Sequence, residues 1–135
     1  MSETMKRALQ SVVDLHVLIE DVFKGRNSDK SLSLLLSSFD DNFKMVTIQG
    51  YCIGLNDVTT LFSQNIGTRA SFTTRCTNLV PLREDNGYCW IQYQEKQQIS
   101  DIETLRTSVV CIRVEAEKCY WVYLHETPVL STQTD

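Results

Sequence analysis

Apolar residues recur at helical spacing from the start of the chain. Met5, Leu9, Val12, His16, Ile19 and Phe23 follow steps of four and three, so they share one helix face. Leu15, Leu18 and Val22 widen that face. The pattern predicts a deeply packed helix over 3–24, closed by Gly25, with Lys24 in the last turn to suit the negative helix end. A second, short helix is predicted over 29–38. Asn27, Ser28 and Asp29 offer N-cap oxygens, and Leu32, Leu35, Leu36 and Phe39 supply its apolar side. Asp40-Asp41-Asn42 reads as a break. Residues 43–49 alternate as a strand does, with Gly50 and Gly54 as turn signals. A third helix over 56–64 turns Val58, Leu61 and Phe62 inward, and Gly67 closes it.

The second half changes period. Segments 70–82, 88–98, 104–114 and 119–129 are rich in Thr, Val, Ile, Tyr and Trp, with short polar turns between them. Consecutive strands joined this way form an antiparallel meander. Helices first and a sheet afterwards give an α+β fold, with three N-terminal helices on one face of a curved, mainly antiparallel sheet. The expected organisation is a single domain over 1–135, with its core at about 4–129 and a frayed tail at 130–135.

A tight turn at Ala116-Glu117 and another near Ser100-Asp101 set the strand register. The expected rows on the inner face are Cys89–Ile112–Trp121, Ile91–Val110–Tyr123, Tyr93–Ser108–His125 and Glu95–Arg106–Thr127. One end of that face is apolar and the other is ionisable. The outer face carries Trp90, Val109, Val122 and Leu124, an apolar cluster suited to a two-fold dimer. A slip of one residue would exchange the faces.

Composition narrows the class. The 135 residues are 42% hydrophobic and 22% charged, which suits one packed core and excludes a disordered chain. The net charge of −4, with no basic block, argues against nucleic acid or an anionic membrane as partner. No apolar leader opens the sequence, and clusters such as 109–112 are too short to cross a bilayer. Five cysteines at irregular spacing form no zinc pattern, so buried free thiols in a reducing, cytoplasmic setting are expected. Two distant histidines give no metal site. Phosphate-cradling loops and dinucleotide fingerprints are absent, so no cofactor is expected.

The order of elements, Phe39-Asp40-x-x-Phe43, the Gly50 and Gly54 pair leading into a helix, and the ending Tyr120-Trp121-Val122-Tyr123-Leu124-His125-Glu126-Thr127 carry a resemblance. Together they resemble the nuclear transport factor 2-like superfamily, which includes SnoaL-like and ketosteroid-isomerase-like small domains. The resemblance covers about 4–129. It implies a cone-shaped half-barrel with a pocket between sheet and helices, and dimers through the outer sheet face. No catalytic set of the isomerases matches residue by residue.

The candidate ligand-binding residues are His16, Tyr93, Glu95, Arg106, Ser108, Tyr123 and His125. His16 lies on the helix stripe with Glu20 one turn later, as a pocket histidine or a core one. Glu95 and Arg106 form either a structural ion pair or a pocket element that receives a ligand carboxylate. His125 and Glu95 are the candidates for proton transfer. Asp40 and Asp41 read as turn residues. Three functions fit: a SnoaL-like domain binding a small, partly apolar ligand with a carboxylate or carbonyl; an isomerase- or dehydratase-like enzyme on the same pocket; and a non-enzymatic dimeric interaction module.

Overall fold

The computed structural model describes residues 1–130. Helix α1 (Glu3–Lys24) starts at Ser2, whose hydroxyl accepts from Met5 N–H at 3.0 Å. It ends at Gly25, whose φ of 80° lets the chain reverse without a Cβ penalty. Helix α2 (Ser28–Leu36), strand β1 (Phe39–Val46), strand β2 (Cys52–Gly54) and helix α3 (Leu55–Ser63) follow. Four long strands complete the chain: β3 (Thr73–Asp85), β4 (Tyr88–Ile99), β5 (Ile102–Glu115) and β6 (Lys118–Pro128).

The strands form one sheet in the order β2-β1-β6-β5-β4-β3. The meander is antiparallel, and β1 joins β6 in parallel, so the sheet is mixed. Asp40-Asp41-Asn42 does not end the first strand but lies inside it. The pairing of β1 with β6 shifts between Phe39 and Lys44, so the expected break is a bend within a strand. Asp40 is tied across that bend to Arg113 at 2.8 Å. The Asn86-Gly87 turn has positive φ at both residues, the geometry that tight hairpins require.

Helix α1 lays Val12, Leu15 and Val22 against the inner sheet face, where Ile91, Val110, Ile112 and Trp121 are almost fully buried. Burial of this set is the main stabilising term, about 1.5–3 kcal/mol per large side chain. Gly25 also packs against Gly67: a Cβ at Gly25 would stand 3.2 Å from the Gly67 Cα. Two hydrogen bonds fix this approach, Gly67 N–H to Val22 O and Arg69 N–H to Phe23 O, both at 2.9 Å. The segment after α3 is thereby fastened to the end of α1, which places Arg69 beside the helix–sheet interior.

The register between β4 and β5 is the expected one, with Tyr93 opposite Ser108 and Glu95 opposite Arg106. The register between β5 and β6 is not. Ile112 faces Trp121, but Cys111 faces Tyr123, leaving Val122 as an extra residue in a bulge. Beyond it, Val110 faces Leu124, Ser108 faces Glu126 and Arg106 faces Pro128. Tyr123 and His125 therefore lie on the outer face, and Leu124 and Glu126 on the inner one. This corrects the expected rows, because the one extra residue of the bulge exchanges the faces.

The thiols also depart from expectation. Cys89 and Cys111 are buried, Cys76 and Cys119 are intermediate, and Cys52 on the short edge strand is exposed. Burial pushes the thiols of Cys89 and Cys111 up to about 11. A thiol reagent added to native protein at neutral pH is expected to modify Cys52 first and to leave Cys89 and Cys111 unmodified until denaturant is present. Mass mapping of the labelled peptides checks this order, and early labelling of Cys89 would contradict the packing described.

Candidate functional site

A cavity of about 350 Å³ opens between the sheet and the helices. Its apolar walls include Ile19 and Phe23 of α1, Phe39, Phe43 and Met45 of β1, Val58 and Phe62 of α3, and Trp121 and Leu124 of β6. Its polar wall is built by His16, Arg69, Glu95, Gln97, Arg106 and Glu126. A largely apolar concavity with a few convergent polar groups is the usual form of a small-molecule site.

His16 and Glu95 form the inner part of that wall. The His16 Nδ1–H donates to the Val12 carbonyl at 2.7 Å, and Nε2 lies 3.3 Å from Glu95 Oε1. A carbonyl can only accept, so Nδ1 carries a proton, and Nε2 meets the carboxylate best when it carries one too. Burial opposes charge on His16, but contacts with Cys76 and Glu95 override it and hold its pKa well above the ordinary value. Burial also works against the Glu95 carboxylate. Hydrogen bonds and charge from His16, with donors from Thr74 and Gln97, nonetheless bring it to about 2. Thr74 Oγ1–H reaches Glu95 Oε2 at 2.6 Å and Gln97 Nε2–H reaches it at 2.8 Å. With His16, Glu95 is thus satisfied by three donors. Glu20, expected as the partner of His16, instead pairs with Lys24 and Arg26 and accepts from Thr74 N–H.

Arg106 and Glu126 form the other part. Arg106 donates to Glu126 Oε1 and to Gln97 Oε1, each at 3.1 Å. Its expected partner was Glu95, which is taken by His16. The Arg106 Nε is buried without a hydrogen-bond partner. Burial raises the Glu126 carboxyl above its usual range. The Glu95 charge adds to that, and the Arg106 charge and hydrogen bond only partly oppose it. Glu126 is therefore the carboxyl of this wall that holds a proton most readily.

The structure brings His16, Glu95 and Arg106 to one cavity wall. Tyr93 and Ser108 lie on the inner face but are sealed behind it, and their hydroxyls are buried without partners. Tyr123 and His125 are on the far side of the sheet. There the Tyr123 hydroxyl meets His125 Nδ1 at 3.0 Å and the Tyr123 ring packs near Trp90, centroids 6.3 Å apart. His125 cannot serve the cavity from there. Glu95, ionised far below neutral pH, is a poor proton acceptor at pH 7. Sequence reasoning missed Glu126, Gln97 and Arg69. The apolar pair Trp121 and Leu124, three residues apart in a strand, was the available signal of a bulge. Nothing in the local sequence marked Arg69, which is placed by the Gly25–Gly67 contact. Among the described residues, no group of three or more His, Cys, Asp or Glu could hold a metal ion. No helix there is long and apolar enough to cross a membrane.

No protein-family model and no curated protein matches the sequence. Solved structures do match. A nuclear transport factor 2-like protein of unknown function from Pseudomonas aeruginosa is 25% identical, with a TM-score of 0.87 over 92% of this chain and 99% of that one. A second protein of that description from Pseudomonas putida is 11% identical, with a TM-score of 0.65 over 94% of this chain and 90% of its own. The association domain of CaMKII from C. elegans is 13% identical, with a TM-score of 0.69 over 93% of this chain and 99% of that domain.

The buried pair makes a test. Glu95 contributes stability fully above its ordinary pKa of 4.5 and loses it as pH falls toward about 2. His16 contributes fully below its ordinary 6.5 and loses it as pH rises through its raised folded value. The stability gap between the native protein and Glu95→Gln is thus expected to be widest between those two ordinary values and to narrow on both sides. Its size should be about 3–5 kcal/mol, as for breaking a buried pair. Urea titrations of both proteins across pH 3–9 measure it, and a pH-independent gap would refute the pairing.

Proposed function

Because the chain has the nuclear transport factor 2-like fold, we propose that it is a SnoaL-like domain that binds a small, partly apolar ligand bearing a carboxylate or carbonyl. The observation that carries this reading is the cavity of about 350 Å³, apolar on most sides, with the partly buried Arg106 guanidinium on one wall. A cavity of that size left unfilled forfeits packing contacts that a ligand would restore. His16, Glu95 and Arg106 are the proposed contacts, with Gln97 and Glu126 added from the geometry. The five unpaired cysteines suit a reducing, cytoplasmic setting.

Octanoate is a suitable first probe. At millimolar concentration it should shift the methyl resonances of Ile53, Val58 and Leu124, which line the cavity. Leu61→Trp, at a half-open lining position, should abolish those shifts without changing the fold. Absence of any shift from octanoate and from its hydroxylated and uncharged counterparts would remove this reading. An enzyme on the same pocket would depend on Glu126 rather than on His125 or Glu95.

A second reading concerns assembly, and the outer sheet face favours it. Trp90, Val109 and Tyr123 are only partly buried there, and no helix covers them. Leu124 does not belong to this cluster, since it points inward. A homodimer through this face is proposed, and an association domain among similar structures accords with it. Sedimentation at micromolar concentration should give a dimer, and Tyr123→Glu should give a folded monomer. A monomeric native protein would count against this assembly.

A further inference from the structure

The hydrogen-bond and charge balance of the cavity wall defines the ligand more narrowly. Glu95 already receives His16, Thr74 and Gln97. Glu126 receives one donor, Arg106, on Oε1, and its Oε2 takes none from the described residues. A half-used carboxylate in an apolar cavity calls for a second donor. The charges on the wall also fail to cancel. His16 offsets Glu95, and Arg106 offsets Glu126. Arg69 remains: its guanidinium lies over the Phe23 ring at 4.2 Å, and among the described residues no carboxylate pairs with it. Held there by the Arg69–Phe23 backbone hydrogen bond, it leaves the cavity with one uncompensated positive charge.

We propose that the ligand is a hydroxy acid with an apolar body, its carboxylate neutralising Arg69 and its hydroxyl donating to Glu126. This rests on the ligand-binding reading above and specifies it. A hydroxyl, unlike a bare hydrocarbon end, supplies the second donor that Glu126 lacks. A second carboxylate in its place would set a third acid beside Glu95 and Glu126 with only His16 and Arg106 to oppose them, so dicarboxylates are disfavoured.

Three probes of equal chain length separate the terms: 8-hydroxyoctanoate, octanoate and 1,8-octanediol, titrated by calorimetry against the native protein. 8-Hydroxyoctanoate is expected to bind about tenfold tighter than either of the others, in line with one hydrogen bond to a charged group. Arg69→Gln, at a partly exposed position, should weaken both carboxylates about tenfold and leave the diol unchanged. Glu126→Gln, with its melting curve recorded to establish folding, should erase the advantage of 8-hydroxyoctanoate over octanoate. Equal affinities for all three probes, or octanoate binding unmoved by Arg69→Gln, would overturn the hydroxy-acid assignment while leaving the binding cavity in place. Failure of all three to bind would overturn both.

Discussion

Between Trp121 and Leu124 the last strand carries two residues where a regular strand would carry one. That single insertion decides what the cavity contains. Without it, Tyr123 and His125 would continue the inward series begun by Trp121, and the inner wall would hold an imidazole and a phenol. With it, Leu124 and Glu126 point inward, and the wall holds a carboxylate beside Arg106. The bulge also adds local twist, which suits a sheet that must curl around α1. Trp121 sits where both effects meet. It is 1% exposed, packed near His16, Tyr93 and Phe39, and it lines the cavity.

The polar wall is expensive to hold in the interior. Two ion pairs lie in a region otherwise filled by aromatic and aliphatic side chains, and removing ions from water costs several kcal/mol each. The Coulomb attraction and the additional donors from Thr74 and Gln97 offset that cost without exceeding it by much. Apolar residues of similar volume would serve folding as well. Stability alone therefore does not account for Arg106 with an unused Nε, or for Glu126 with an unused oxygen. The His16–Glu95 pair differs, since each of its close polar atoms is engaged, and it ties α1 to β4 at the middle of the cavity.

Much of the fold was legible because its signals are local. The stripe from Met5 to Phe23 and the capping Gly25 define α1 to the residue. The turns at Asn86-Gly87, Ser100 and Ala116 define the meander, each with a residue of positive φ. Beyond the turn at Ala116, a constant step along β6 puts every residue after the unpaired Val122 on the wrong face. Glu126 was misplaced for this reason alone. Arg69 was illegible for a different one. Its position follows from two glycines forty-two residues apart meeting at the end of α1, a long-range contact with no periodic trace. Glu20 stands out beside His16 because helical spacing is visible in sequence, whereas the pairing with Glu95 across a helix–sheet interface is not.

The two faces of the sheet then divide the work. The inner face takes its polarity from residues spaced along β4, β5 and β6 at one end, so the cavity presents charge there and hydrocarbon elsewhere. The outer face takes Trp90, Val109, Tyr123 and His125, a half-buried aromatic surface whose polar atoms pair with one another. Because alternation couples the faces, the bulge that brings Glu126 to the cavity is the same event that delivers Tyr123 to the outer surface. A change at Val122 would alter both together, whereas Arg69, carried on a separate segment, can change the charge of the cavity without touching either face of the sheet.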